Sequence, residues 1–342
     1  MATSTLQTKR RAIVQGEAGS KTIRNVPIPS ISPSEILVKT IAVAINPTDH
    51  KMPDSFPSLG AIVGCDYSGI VVKVGSETSG LRVGDRVAGA VHGSNPIHHE
   101  DGAFAEYIKT SADLVYHVPG IFSWEDAAAI GGTGHGSLCL AFWGALDLPG
   151  RPEAPSTKPE YVLVYGGSTA TGTMALQLLR LSGLVPIAVC SPHNFELAKS
   201  YDIRQFSKNT LFYALDCITD ATSASICFAA IGRAGGRYAS LEYCPSHLQI
   251  RRAIHPDFVL GYEMFGKPVA LTGPYKREPA PEKRKAAVEW YKTFTSLCEE
   301  RRIKAHPVRN VEGVLEGVLE GINMLKNEGV SGYKLVVRMH AE

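Results

Sequence analysis

The stretch YGGSTATGTM, residues 165 to 174, follows directly on the apolar run Tyr161-Val162-Leu163-Val164 and leads into ALQLLRLSG. An apolar strand, a glycine-dense turn and a helix in immediate succession leave few folds open, and a parallel α/β sheet is the first of them. Glycines let the backbone approach a pyrophosphate, and the start of a helix offers N–H groups and a partial positive charge. Ser168, Thr169 and Thr171, around Ala170, add hydroxyl donors. The spacing departs from a strict GxGxxG, so a plain strand-to-helix turn stays open beside the phosphate cradle.

The flanking sequence extends the same rhythm. Strand VPIAVC, a short helix around Phe195 to Ser200 and strand LFYALDCI alternate in the way that predicts a parallel sheet with helices on both faces. Ahead of them, EILVKTIAVAI, GIVVKVG, GDRVAGAV, GAFAEYIK and LVYHVP are short β-type runs separated by turns, the pattern of a compact β domain. At Ser123 the pattern changes: Ser123 stands three residues before Asp126, a capping-box spacing, and alanines follow. The proline-rich LPGRPEAPSTKPE then reads as a surface loop. RYASL, LGYEMFG and PVALTG suggest further β structure, followed by a helix from Pro281 to about Arg302 and a tail with a helix and a last strand. Because β character returns at both ends, the termini are expected to share one domain, residues 1–122 and 271–342, around a central domain of residues 123–270.

At 342 residues the chain exceeds one ordinary core. A formal net charge of +2 gives no basic field, which argues against nucleic acid as a partner. The start MATSTLQTKRR lacks an apolar core, and no run of eighteen apolar residues occurs, so a soluble cytoplasmic protein without a membrane span is expected. The seven cysteines are scattered without a CxxC pair and read as reduced core thiols.

The end of the strand after the glycine turn bears on the cofactor. Folds that take NAD usually place a carboxylate there for the ribose 2′-hydroxyl, and such a group would repel a 2′-phosphate. This chain has Cys190-Ser191-Pro192-His193-Asn194, with Lys199 beyond and no carboxylate before Glu196. Donors without a carboxylate favour NADPH, while a helix cap at Ser191 or Asn194 accounts for part of the pattern.

AINPTDHK, GCDYSGIVVKVG, GLRVGDRVAG and GGSTATGT occur in this order, with CSPHNFELAKS, FAAIGRAGGRY and NEGVSGYKLVVR after them. Over nearly its whole length the chain thereby resembles the medium-chain dehydrogenase/reductase superfamily. More narrowly, it is similar to the zinc-free, lovastatin-reductase-like, trans-acting enoyl reductases of fungal polyketide pathways. The resemblance implies a GroES-like β domain plus a Rossmann doubly wound parallel sheet. It also implies a monomer that reduces an α,β-unsaturated thioester on the acyl carrier of a polyketide synthase or PKS-NRPS, in secondary-metabolite biosynthesis.

By the same resemblance Pro47, Thr48, Asp49 and His50 would lie along the nicotinamide half of NADPH, with Lys51 beside the reacting centre. Ser168 to Thr171 would hold the pyrophosphate and Ser191, Pro192, His193 and Asn194 the 2′-phosphate. Leu241, Glu242, Val330 and Ser331 would complete the groove. The acyl chain would pass between Gly131-Gly132-Thr133-Gly134-His135-Gly136-Ser137-Leu138 and Gly261-Tyr262-Glu263-Met264-Phe265. Glycines there leave room, and Tyr262, Met264 and Phe265 offer an apolar wall, although ordinary core packing uses the same residues. Arg251-Arg252, Lys276-Arg277 and Lys283-Arg284-Lys285 are candidates for a basic surface facing an acidic carrier.

Two departures stand out. Zinc members of the superfamily take a Cys in the equivalent of INPTDH and a His in a GHE motif, where this chain has Pro47-Thr48 and Gly64-Cys65-Asp66, so a metal-free enzyme is expected. His98-His99-Glu100-Asp101 reads as a solvated loop. In addition, only about twenty residues separate Cys190 from Leu211, too few for the helix, strand and helix that a doubly wound half-sheet places there. One Rossmann strand is expected to be missing near Tyr201 to Arg204. Two other readings stay open: a stand-alone quinone or alkenal reductase, and a non-catalytic relative disabled by that loss.

Overall fold

The computed structural model describes residues 8–190 and 210–340. Its chain forms two compact units. One gathers the residues up to Thr133, Ala270–Thr272 and those from Phe294 onward; the other gathers Gly134–Val269 and Gly273–Thr293.

The first unit is built on a seven-stranded sheet. Its order is Val308–Val311, Lys334–Arg338, Glu35–Ala44, Asp66–Val74, Arg86–Ala90 and Val115–His117, with Tyr107–Ser111 paired to the Glu35–Ala44 strand. The first two strands are parallel and the other pairings antiparallel, with Val43 opposite both Val337 and Tyr67. A hairpin of Lys9–Gln15 and Lys21–Pro27, which the sequence reading did not anticipate, adds Ile13 and Val14 to the same core. Apolar residues from both ends of the chain, Ile13 and Val14 with Leu335 and Val337, thus share one core.

Helix Trp124–Ile130 starts where Ser123 predicts, the Ser123 side chain accepting from the Asp126 N–H at 3.0 Å. It does not open the second domain, however. Trp124, Ala128 and Ala129 pack on Ile41, Ala42 and Ala44, and the Trp124 and Ala127 carbonyls accept from the Ser68 and Tyr116 hydroxyls. Division by packing therefore falls after Thr133 rather than after residue 122. At the other boundary, residues 273–293 pack with the second unit, because Trp290 bonds His135 and Lys283 pairs with Glu263 there.

The second unit carries five parallel strands in the order Ile254–Phe258, Gly236–Ser240, Tyr213–Asp216, Tyr161–Tyr165 and Val185–Val189. Among the described residues these neighbours match strands 2-1-4-5-6 of a doubly wound sheet of order 3-2-1-4-5-6. Among the described residues the sheet ends at Val185–Val189; the expected short helix at 195–200 and the shortened junction at 201–204 lie outside them.

Three local readings are corrected. LGYEMFG is not a strand: Gly261–Phe265 is a 3-10 helix, stopped by Gly266 in the left-handed region at φ 68°. PVALTG contributes only an isolated bridge from Val269 to Arg277. The edge strand is instead Ile254–Phe258, whose exposed His255, Pro256 and Asp257 hide its β character from a hydrophobicity pattern. The helix from Pro281 ends at Glu299 rather than near Arg302, where Arg301 turns left-handed at φ 58°.

Candidate active site

The glycine turn is shaped by close approach. Gly166 sits at φ 81°, a conformation that side chains disfavour, with Ile218 and Cys217 just over 3 Å from where its Cβ would be. A Cβ on Gly167 would lie 2.9 Å from that of Ala188, and one on Gly172 only 2.1 Å from the Gly166 carbonyl oxygen. Turn, strand and helix can approach this closely only without side chains. Thr169 caps the helix Ala170–Leu181: its hydroxyl accepts from the Gly172 N–H at 2.9 Å and donates to the Gly166 carbonyl at 2.8 Å. Ser168, Ala170 and Thr171 are half-exposed at the open end of the turn.

Gly166, Cys217 and Leu241 directly follow three adjacent strands, so the turn and the Leu241-Glu242 pair share the carboxyl edge of one sheet. Cys217 and Ile218 belong to that edge; the sequence reading placed them inside the strand LFYALDCI, which ends instead at Asp216. Glu242 accepts from the Tyr275 hydroxyl at 2.6 Å and from the Tyr243 N–H at 3.0 Å. Ser191 to Asn194 lie outside the described residues.

In the same unit residues 134–138 of the first candidate acyl-chain stretch meet the second stretch, Gly261–Phe265. A Cβ on Gly136 would come within 2.5 Å of Met264 Sδ, and one on Gly261 within 2.4 Å of Ser137 Oγ. Leu138, Tyr262 and Met264 are buried, while His135 is wholly buried and accepts from Trp290. Glu263 is buried as well and is neutralised by Lys283 at 2.7 Å and Arg277 at 3.4 Å. This changes the reading of the basic clusters. Lys283 and Arg277 are committed to Glu263, Lys276 faces Glu278 at 3.4 Å, and Arg251 donates to the carbonyls of Phe228, Ile231 and Gly232. Glu263 and the three carbonyls thus engage Lys283, Arg277 and Arg251, while Arg252, Lys276 and Lys285 stay exposed.

In the first unit, Pro47 precedes helix Thr48–Ser55. Lys51 projects from it exposed, and the His50 ring faces Asp54 at 3.6 Å, where burial lowers its pKa and Asp54 opposes the fall. Asp49 turns inward. One of its oxygens accepts from the Asn46 N–H at 2.7 Å, and burial pushes the carboxyl up to about 8. Asn46 continues the chain of contacts: its side-chain amide donates to Asp66 at 2.9 Å and its oxygen accepts from Lys334. Asp66 also accepts from the N–H groups of Gly132 at 3.0 Å and Thr133 at 2.8 Å. Val330 is half-buried and Ser331 exposed, just ahead of Lys334. Asn46 and Lys334 were not singled out, and Asp66 was read only as standing where zinc members carry a GHE motif, since no local pattern links three residues so far apart in the chain.

Among the described residues no group of three or more His, Cys, Asp or Glu side chains is placed to hold a metal ion. Glu100 and Asp101 turn to Lys109, at 2.8 and 3.7 Å, while His99 meets the Ser58 hydroxyl at 3.3 Å. Among those residues no helix is long and apolar enough to cross a membrane.

A β unit formed from both ends of the chain, and a parallel sheet with a three-glycine turn at its carboxyl edge, define an oxidoreductase of the medium-chain dehydrogenase/reductase class that takes a nicotinamide cofactor. Residues 32–120 match the alcohol dehydrogenase GroES-like domain. The chain is similar to the enoyl reductase CurK (TM-score 0.71, 16% identity, 97% of this chain and 99% of that one). It is also similar to a putative zinc-dependent alcohol dehydrogenase from Rhizobium etli (TM-score 0.77, 21% identity, 98% and 99%). At the level of sequence it is 46% identical to a trans-enoyl reductase of Aspergillus clavatus, covering 97% of each chain, and 45% identical to one of Pyricularia oryzae, covering 96% of this chain and 98% of the relative. The chain belongs to the trans-enoyl reductase family. The alignment with the Aspergillus clavatus relative runs over 352 residues, more than the 342 of this chain, so that relative has residues with no counterpart here.

Proposed function

We propose that the protein is a monomeric, metal-free, NADPH-dependent enoyl reductase that acts in trans on an α,β-unsaturated polyketide thioester borne by the acyl carrier of a polyketide synthase or PKS-NRPS. The observation that carries this reading is the turn set by a left-handed backbone at Gly166 and by close approach at Gly167 and Gly172, in a chain 46% identical to a trans-enoyl reductase.

The glycine turn fits a pyrophosphate, with Ser168 to Thr171 as its donors, and Leu241 and Glu242 flank it on the same sheet edge. Held by these residues, NADPH would supply the hydride that the β-carbon of the substrate takes up. Negative charge then develops on the thioester oxygen, and the α-carbon takes a proton. Lys51, exposed at the start of its helix, is the candidate to stabilise that oxygen or relay the proton. Pro47 to His50 hold the adjoining segment, and Val330 and Ser331 complete it. Gly131 to Leu138 and Gly261 to Phe265 guide the acyl chain, with Met264 and Tyr262 as apolar wall.

Titrating the purified protein with NADPH and with NADH, by nicotinamide fluorescence alongside circular dichroism, tests the cofactor. Tight, NADPH-selective binding followed by reduction of a carrier-bound enoyl chain is expected. Turnover of small enones alone would make it a free-standing alkenal or quinone reductase, and a folded chain that binds neither nucleotide would overturn the enzyme reading.

A further inference from the structure

Asp66 is 1% exposed, yet it carries a carboxylate whose two oxygens are both engaged. One accepts from the consecutive N–H groups of Gly132 and Thr133; the other accepts from Asn46 and faces the Lys334 ammonium at 3.7 Å. Taking both ions out of water is costly, and an apolar pair of similar volume often does as well or better for stability. The charge pair therefore calls for a reason other than stability. Geometry supplies one, because Asp66 reaches three stretches assigned above to the reaction. Gly132 and Thr133 are the second and third residues of the acyl-chain stretch. Asn46 immediately precedes residues 47–51 and bonds Asp49 through its N–H. Lys334 follows Val330 and Ser331 by one short turn.

The fit at the turn is tight. Gly131 holds φ 52°, and a Cβ there would lie 2.4 Å from the Asp66 carboxyl carbon. Two N–H groups at the start of helix Thr133–Leu140 point at a carboxylate supplied from a distant strand, which suits both the unpaired amides and the positive end of the helix.

We propose that Asp66, held by Lys334 and Asn46, is a positioning residue that fixes the Gly131–Thr133 turn for the enoyl substrate; this rests on the functional reading given above. It touches no reacting atom. Its effect is to keep the turn in register with the segments on which Asn46 and Lys334 stand, where a small displacement is costly.

The test compares two double variants with wild type. Asp66→Ala/Lys334→Met removes the tie without stranding a buried ammonium, and Asp66→Asn/Lys334→Met leaves an oxygen facing the two amides. In the Ala form, the KM for an enoyl thioester should rise on the order of tenfold or more, with kcat falling by less. The Gly132 and Thr133 amides should exchange with solvent about tenfold faster. In the Asn form both effects should be smaller. An unchanged KM, or unchanged exchange at those two amides, overturns the proposal. If the Ala form does not fold, exchange in the Asn form decides: faster than wild type supports the tie, equal to wild type refutes it. If wild type binds NADPH but reduces no enoyl thioester, the functional reading fails by itself, and amide exchange still decides whether Asp66 holds the turn.

Discussion

Trp290 donates its indole N–H to Nδ1 of His135 across 3.0 Å, with both residues buried in the second unit. A ring nitrogen that accepts carries no proton, so the bond fixes His135 in the tautomer protonated at Nε2. The Tyr291 ring meets the imidazole edge-on at 4.8 Å, and Trp143 packs on Trp290 at 4.8 Å, so the orientation is held from several sides. Trp290→Phe keeps an aromatic ring but withdraws a donor from a buried nitrogen, which is expected to cost about 1–3 kcal/mol. The urea midpoint should fall with little change in slope. An unaltered midpoint would show that the bond adds nothing to stability.

At the glycine turn, two substitutions separate capping from shape. Thr169→Ala removes the side chain that caps Gly172 and should destabilise the protein by about 1 kcal/mol, with modestly weaker NADPH binding. Gly172→Ala places a methyl group 2.1 Å from the Gly166 carbonyl oxygen, and backbone must move to admit it. Nicotinamide fluorescence should then report a loss of affinity on the order of tenfold or more, larger than for Thr169→Ala. Equal losses from the two changes would mean that close approach at Gly172 does not shape the cradle.

Much of this was legible in the sequence, and the reasons are local. The glycine turn announces itself because its strand, turn and helix are contiguous. The Ser123 cap was legible for the same reason, but not the unit that its helix joins, since Ile41, Ala42 and Ala44 lie far back in the chain. The strand Ile254–Phe258 was missed because an edge strand need not alternate, and LGYEMFG was misread because aromatic and sulfur-bearing side chains suit a buried 3-10 turn equally well. Asp66 and Lys334 illustrate the remaining limit: a tie between residues so distant leaves no spacing to read.

Asp49 should make stability depend on pH in a definite direction. Burial is the main cause of its rise to about 8; the Asn46 N–H and Lys334 oppose it, and Asp66 adds to it. Its folded pKa thus exceeds the ordinary value of 3.8, so the folded state keeps a proton that the unfolded chain releases. The stability this site contributes is complete below that ordinary value and is lost as pH rises through about 8. Asp49→Asn, uncharged throughout, should therefore gain on wild type in melting temperature between acidic and mildly alkaline pH. Groups common to both proteins largely cancel in that difference. A constant gap across the range would show that Asp49 is ionised in the fold as readily as in the unfolded chain.

Both edge strands of the described parallel sheet carry a proline, Pro186 in Val185–Val189 and Pro256 in Ile254–Phe258. Proline offers no N–H to a further strand, and the exposed His255 and Asp257 beside Pro256 would have to be covered if a second copy extended the sheet there. Edge-to-edge pairing, the simplest route from one such sheet to a continuous dimer, is thereby disfavoured at both ends. Light scattering after gel filtration should give a mass near 36.8 kDa that does not grow as concentration is raised over about a hundredfold. If the mass instead doubles, the Pro256→Thr variant locates the contact: tighter association would place it at this strand edge and show that proline only weakens it, whereas unchanged association would assign the dimer to another surface.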